Sequence, residues 1–387
     1  VNIVLLGSVN PLELDLSTQD ISRLIGANFA HSVPVSDLAT SLVKFGHKVT
    51  VIGVISGMSE DVQCLTTQNG VRLIYVRGRR REKLKAISFY SSERKLILRQ
   101  IALIKPDVIH AHWTYEYALA AQDSGLPHVI TVHDEPWEIL RNFRNFYRFL
   151  RLLVAIRVRI RSSDNFSFVS DYIRTLWNQR MFGSGGIVIP NMNRLAISDS
   201  HLSEHLGNVI TVGNDGRSKN VRSLLEAWEV VLVTNPDLHL HIVGPGLGMG
   251  DSLAKKYQHK FGAHQVTWHG SITRGELSDL YSRCKVLVHP SRHESFGLIY
   301  LEAFAANLGI ITLAKSGSAN EIVGDAGLIL DDDSPQAISG AVLRLTSDHE
   351  LLDRLTETGK KRLDLYSPDL VTRMYISLYK RTVGMFK

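Results

Sequence analysis

Short apolar runs without strict alternation, separated by segments of helical spacing, constrain this chain more than any other feature. Residues 1–7, 48–55, 71–76, 107–111, 128–132 and 165–169 are such runs. A strand apolar at successive positions must be covered on both faces, which points to a parallel sheet. Residues 36–45 carry apolar groups at helical spacing and stop at Gly46. Strand, helix and strand repeated in this way predict a doubly wound α/β domain. The pattern restarts after Pro190-Asn191. Residues 209–212, 238–243, 285–289 and 310–313 read as strands, and 221–233 as a helix closed by Asn235-Pro236. Residues 191–207 read as the linker, and 367–382 as a last helix. The expected architecture is α/β, with two Rossmann-like domains facing each other across a cleft. They span residues 1–192 and 193–365, and a C-terminal helix over 366–387 packs back on the first. Ligands of open α/β sheets bind beyond the carboxyl ends of the strands, which places the expected site in that cleft.

The 387 residues are 44% hydrophobic and 21% charged, a globular composition that excludes a disordered tail, a collagen-like fibre or a coiled-coil rod. No apolar run approaches the roughly 18–20 residues that span a bilayer. Residues 1–8 have no basic region ahead of their apolar stretch and read as a first strand rather than a signal peptide. Cys64 and Cys284 have no C-x-x-C partner, so neither a disulfide framework nor a thiolate zinc site is expected, and a reducing cytoplasm is. Charge is uneven. Residues 1–200 hold 24 Lys and Arg against 17 Asp and Glu, whereas residues 201–387 hold 20 against 21. A basic half attracts membrane surfaces, nucleic acid or phosphorylated substrates, and the sum alone does not choose among them.

Two segments carry chemistry. The first runs from His289 to Glu302 (HPSRHESFGLIYLE). A strand ends at His289-Pro290 and a helix is expected to start near Phe296-Gly297. A helix N-terminus presents free N–H groups and about half a positive charge, which suits a diphosphate. Gly297 lets the backbone approach a ligand. Eight residues of helix between Glu294 and Glu302 would rise roughly 12 Å, close to the span from a sugar past a diphosphate to a ribose. Taken alone, the pair also fits a helix cap and an exposed glutamate. The second segment is Gly213-Asn-Asp-Gly-Arg-Ser-Lys219, between a strand and a helix. Arg217 and Lys219 could reach phosphate oxygens there, or simply be solvated.

In this order and spacing the two segments resemble glycosyltransferase family 4, retaining enzymes of the GT-B fold that use nucleotide-sugars. Glu294 and Glu302 match that family's E-x7-E motif, with Phe296-Gly297 inside it. Gly213 to Lys219 matches the spacing of its G-R-x4-K motif, with Asn214 in place of the arginine and Arg217 as a candidate substitute. Gly270-Ser-Ile272 with Glu276-Leu-Ser-Asp-Leu-Tyr281, Gly324-Asp-Ala-Gly-Leu-Ile-Leu330, Pro106-Asp-Val-Ile-His-Ala-His112 and Thr131-Val-His-Asp134 extend the likeness. Asn307-Leu-Gly-Ile310 stands where the family has GTPV.

The resemblance implies that Glu294 contacts the sugar hydroxyls, and that Lys219 binds the diphosphate with Arg217 beside it. It implies that Ser295, Phe296, Gly297, Leu298 and Ile299 line the sugar and phosphate, and that Glu302 holds the ribose. His133 would reach the sugar from the first domain, although it also fits a satisfied core histidine. Gly213, Asn214, Gly244 and Ile272 would complete the nucleotide site. Gly26-Ala27 and Phe29-Ala30 are the candidates for the family's N-terminal glycine loop, and the helix after it starts with His31–Asp37 rather than acidic residues. The implied activity is transfer of a hexose from a UDP- or GDP-sugar to a saccharide or lipid-linked glycan in cell-surface polysaccharide or glycolipid synthesis. It would proceed by same-face attack, with no cofactor and no catalytic metal. The alternative is a nucleotide-sugar epimerase of the same fold, which the E-x7-E spacing disfavours.

Other signals are weaker. Asp331-Asp-Asp333 reads as a solvated turn. His110-Ala-His112 and His239-Leu-His241 have no third ligand nearby in sequence. Gly244-Pro-Gly246 is a lone G-x-G. Residues 141–161 carry seven Arg and no acid, with Phe143, Phe146, Phe149 and Leu150 interleaved at helical spacing. That pattern suits an anionic membrane surface, or a helix packed on the domain with its arginines in solvent. Residues 77–85 (RGRRREKLK) form a second basic patch, expected on a loop. No nucleic-acid module is visible. The expected location is cytoplasmic, at the inner face of a membrane if the basic segments bind one.

Overall fold

The computed structural model describes residues 1–9, 11, 14, 33–142, 144–161, 165–183, 185–193, 195 and 208–385. The chain forms two compact units. One comprises Val1–Met192 with Pro368–Lys387, and the other Asn193–Ser367.

The first unit is built on β1 (Asn2–Leu6), β2 (Lys48–Ser56), β3 (Val62–Thr66), β4 (Arg72–Gly78), β5 (Val108–His112), β6 (His128–Val132), β7 (Phe166–Phe168) and β8 (Ile187–Val188). Their order in the sheet is β3-β4-β2-β1-β5-β6-β7-β8. Every pairing is parallel except β3 with β4, which is antiparallel. The apolar runs of β5 and β6 are buried along their whole length, as a sheet covered on both faces requires. Helix Val33–Lys44 begins three residues earlier than its apolar spacing predicts, because Pro34 is tolerated in a first turn. Helix Pro368–Met385 lays Val371, Tyr375, Leu378 and Tyr379 into the same core as Ile3, Leu5 and Val108.

The second unit has β9 (Asn208–Val212), β10 (Leu240–Val243), β11 (Val266–Gly270), β12 (Cys284–His289), β13 (Gly309–Leu313) and β14 (Gly327–Leu330), all parallel, in the order β11-β10-β9-β12-β13-β14. This is the 3-2-1-4-5-6 order of a dinucleotide-type fold. Helix Val221–Thr234 packs Leu224, Leu225 and Trp228 with Leu240, Ile242 and Val286 in its core. Among the described residues, no helix is long and apolar enough to cross a membrane.

Candidate active site

In the second sheet, β9 and β12 are neighbours while the chain leaves them in opposite directions, to β10 and to β13. A crevice opens at the carboxyl ends of two strands that part in this way. The loops after β9 and β12 carry the two segments singled out in the sequence.

After β9, the Gly213 N–H donates to the Val243 carbonyl at 2.9 Å. Gly244 approaches so closely, at φ 133°, that a Cβ there would lie 1.7 Å from the Gly213 oxygen, so only glycine fits. Asn214 Oδ1 accepts the Gly216 N–H at 2.9 Å, and the Lys219 N–H donates to Gly216 at 3.0 Å. Asn220 takes a left-handed φ of 55°, which asparagine tolerates, and helix Val221–Thr234 follows. This tight turn carries the Lys219 ammonium to Glu294, with which it forms an ion pair. Arg217 is exposed and makes no hydrogen bond or ion pair with any described residue. The arrangement therefore joins Lys219, and not Arg217, to the carboxylate.

Glu294 does not lie on a helix. It forms a parallel bridge with Gly317, donates its N–H to the Ser316 carbonyl at 2.8 Å and accepts from the Ser318 N–H at 3.2 Å. The helix itself is Leu298–Ala305. Only the stretch from Leu298 is helical, so the rise to Glu302 along the axis is about 6 Å rather than the 12 Å expected from a continuous helix. The helix thus starts one residue past the Phe296-Gly297 expected from the sequence, with Gly297 as its cap, and the pairing with the loop after β13 holds Glu294 extended ahead of it.

The Glu294 carboxylate accepts from Lys219 and, at 2.7 Å, from His289 Nε2. Burial alone would raise its pKa. The hydrogen bonds from His289 and Lys219, with the charge of the Lys219 ammonium, outweigh burial and hold it well below the ordinary carboxylate range. Glu294 therefore stays ionised near pH 7, able to accept hydrogen bonds and not to give up a proton. His289 was not among the sequence candidates. Its signal was its place at the carboxyl end of β12, five residues before Glu294. Ser316 and Ser318, which hold the Glu294 backbone, were missed as well, although they follow β13 at the same sheet edge.

Gly297 caps the helix with φ 85°, over the ring of Tyr300; a Cβ there would meet that ring at 2.5 Å. Tyr300 is in turn fixed by hydrogen bonds with Thr312 Oγ1 at 2.8 Å and Ser316 Oγ at 3.1 Å. The N–H groups of Gly297, Leu298 and Ile299 find no acceptor among the described residues. They make a ready anion site with the positive end of the helix. Phe296 is buried against Tyr366, and Ser295 is half-buried beside it. Glu302 accepts from the buried Tyr281 hydroxyl at 2.9 Å. Gly244 and Ile272 follow β10 and β11, at the same edge of the sheet.

Asp333 departs from the expected solvated turn. It pairs with both Arg292 and Lys315 and accepts from Asn220 Nδ2 at 3.3 Å. Since the Arg292 N–H also donates to the Ser218 carbonyl at 2.7 Å, this network ties the two site loops together.

In the first unit, His133 follows β6. Its Nε2 lies 2.8 Å from Nδ1 of His112, the last residue of β5, and its ring lies tilted at 36° against Trp113 with centroids 4.8 Å apart. Trp113 has a left-handed φ of 63°, rare for an aromatic residue. Burial lowers the His133 pKa to about 3, so the ring is neutral near pH 7. His110 lies behind, between Tyr379 at 2.7 Å and Thr131 at 2.6 Å. A third histidine thus joins the His110-Ala-His112 pair, and His269 likewise joins His241 at 3.0 Å. Even so, among the described residues no group of three or more His, Cys, Asp or Glu is arranged to hold a metal ion.

The basic segment at 77–85 is a loop only over residues 79–81. It ends β4, turns there and enters helix Glu82–Ile87, and three of its cations are paired: Arg77 with Asp61, Arg79 with the buried Glu93, and Lys85 with Glu82. Gly26, Ala27, Phe29, Ala30, His31 and Phe143 lie outside the described residues.

Comparison with known proteins bears on the family and the fold. The sequence model of Glycosyltransferase Family 4 matches residues 33–192, and that of Glycosyl transferases group 1 matches residues 196–362. An uncharacterised glycosyltransferase of Methanocaldococcus jannaschii is 24% identical over 289 residues, which cover 72% of this chain and 77% of that one. The O-antigen chain mannosyltransferase B of Escherichia coli is 27% identical over 176 residues, covering 45% and 46%. Among solved structures, sucrose-phosphate synthase from Thermosynechococcus elongatus superposes with a TM-score of 0.76 at 18% identity, covering 99% of each chain. An E. coli trehalose-6-phosphate structure bound with UDP-2-fluoro glucose does so with a TM-score of 0.70 at 11% identity, covering 98% of this chain and 99% of that one. The chain belongs to glycosyltransferase family 4 and is a transferase enzyme of the GT-B fold.

Proposed function

We propose that this enzyme moves a hexose from a UDP- or GDP-sugar to a saccharide or lipid-linked glycan, retaining the anomeric configuration, in the synthesis of a cell-surface polysaccharide or glycolipid. The observation that carries the reading is the Lys219–Glu294 pair at the point where β9 and β12 diverge, beside the free N–H groups of Gly297 to Ile299.

Breaking the bond from the anomeric carbon to the diphosphate oxygen builds negative charge on the leaving phosphate. Lys219 uses one of its three N–H groups on Glu294 and keeps the others for phosphate oxygens. The helix N-terminus adds its dipole, and together they stabilise the departing charge without a metal. Glu294, always ionised, accepts from sugar hydroxyls and so sets the position of the anomeric carbon. Glu302, oriented by Tyr281, accepts from the ribose. The acceptor oxygen attacks the same face that the phosphate leaves, and its proton passes to a leaving phosphate oxygen. His133 donates to the sugar.

Thermal unfolding with UDP, GDP, ADP and their hexose derivatives tests this reading. One nucleoside diphosphate should raise the melting temperature, and its hexose derivative should raise it further. Lys219→Ala should lose most of the first shift. Glu294→Gln should keep it and lose the increment due to the sugar. A protein that responds to none of these ligands, or a Lys219→Ala variant that responds like the wild type, contradicts the proposal. An epimerised nucleotide-sugar formed without acceptor would favour the alternative activity.

A further inference from the structure

Helix Phe146–Arg161 is apolar on two opposite sides. One side buries Leu152, Val154, Ala155 and Val158 in the first unit. The other presents Phe146, Phe149, Leu153 and Ile160 to solvent, 56%, 44%, 37% and 80% exposed. Their spacing of three, four and seven residues places them on one stripe. A helix that needs only one apolar side to fold does not need this second one.

The stripe continues onto neighbouring elements. Ile160 shares a hollow of about 360 Å³ with Trp137 and Phe182, which are 42% and 93% exposed. A second hollow of about 610 Å³, also lined by Trp137, is bordered by Arg141 and Arg144. These two arginines are exposed and make no ion pair with any described residue. Arg157 is exposed next to the stripe and lies over the Phe89 ring. Elsewhere on the helix the arginines are engaged: Arg161 pairs with Asp123, and Arg151 sits 3.6 Å over the Tyr115 ring. Arg151 and Arg161 thus hold the fold, whereas Arg141, Arg144 and Arg157 face outward.

We propose that this face docks on an anionic lipid bilayer, with the Phe146–Ile160 stripe, Trp137 and Phe182 at the level of the headgroups and Arg141, Arg144 and Arg157 on lipid phosphates. An exposed patch of large apolar groups marks an interaction surface. Aromatic and aliphatic groups set among free arginines match the boundary between phosphate and acyl chain. A second copy is a poor occupant, because a two-fold contact through this face would set a run of arginines without acids against itself. Nucleic acid would leave Leu153 and Ile160 without an apolar partner.

Flotation of the full chain with vesicles tests the proposal. Vesicles of phosphatidylcholine with about a quarter phosphatidylglycerol should bind the protein, and pure phosphatidylcholine should bind it far less. Phe149→Ser with Ile160→Ser should weaken binding to anionic vesicles about tenfold or more, and so should Arg141→Glu with Arg144→Glu. All four positions are exposed, and the nucleotide-induced melting shift of each variant, or its unliganded melting temperature if no nucleotide binds, serves as the fold control. Absence of binding to anionic vesicles at low salt overturns the proposal, as does binding that both double variants retain. A concentration-dependent dimer abolished by the same substitutions would assign the face to a second copy instead. None of these outcomes depends on which sugar, if any, the enzyme transfers.

Discussion

His112 is 1% exposed, and its Nε2 has no hydrogen-bond partner among the described residues. A neutral imidazole carries one N–H and one bare nitrogen. Leaving the N–H unpaired in a buried place is the costlier of the two choices, since orphaned buried donors are the rarest unpaired groups in folded proteins. The proton of His112 therefore belongs on Nδ1, where it donates to Nε2 of His133. His133 must then carry its own proton on Nδ1, which makes no bond to any described residue. One buried histidine thus sets which nitrogen of its neighbour can donate. Long-range 1H–15N spectra should show His133 protonated at Nδ1 in the wild type and reverting to the Nε2 form common in free imidazoles in His112→Phe. A wild-type signal from an Nε2-protonated His133 would remove this role from His112.

At the scale of elements, helix Pro368–Met385 is tied to the first sheet by polar as well as apolar contacts. Thr372 donates to Ser41 at 2.7 Å, and the Tyr379 hydroxyl meets His110 Nδ1 at 2.7 Å. Tyr379→Phe keeps the ring and strands a buried imidazole nitrogen. It should cost about 1–3 kcal/mol in urea unfolding, and a loss near zero would mean that water or another group takes the place of the hydroxyl. The sequence shows such elements unequally. Buried parallel strands such as β5 and β6 announce themselves as unbroken apolar runs. β3 does not, because Val62-Gln-Cys-Leu-Thr66 is a short edge strand with Cys64 and Thr66 exposed, and its residues alternate around a single buried Leu65. Spacing revealed Lys219 and Glu294 but not His289, since a histidine that ends a strand looks the same in sequence whether it faces a carboxylate or the core. Likewise Asp333 reads as solvated, because its partners Arg292 and Lys315 come from 41 and 18 residues away.

On the scale of the whole molecule, both units bury neutral histidines. Burial holds His110 and His133 in the first unit, and His241 in the second, at a pKa of about 3. An unfolded histidine titrates near 6.5, so below that pH the unfolded chain takes up protons that the folded chain refuses. Stability should be complete above about pH 6.5 and fall steadily towards pH 3, with Glu294 adding to the loss once the unfolded carboxylates begin to protonate. The urea midpoint should thus drop between pH 7 and pH 5, before most carboxylates titrate. A midpoint that stays level across that interval would show that these rings are not held neutral.

The first unit is made of two stretches of chain separated by the whole of the second. A ribosome releases the amino end first, so residues 193–367 are finished while the sheet of β1 and β5 still waits for Tyr375 and Tyr379. The usual amino-to-carboxyl sequence of domain completion is reversed here. During synthesis the nascent first unit stands with one flank of its core uncovered until the last eighteen-residue helix arrives, and a ribosome that stalls before Pro368 leaves it in that state.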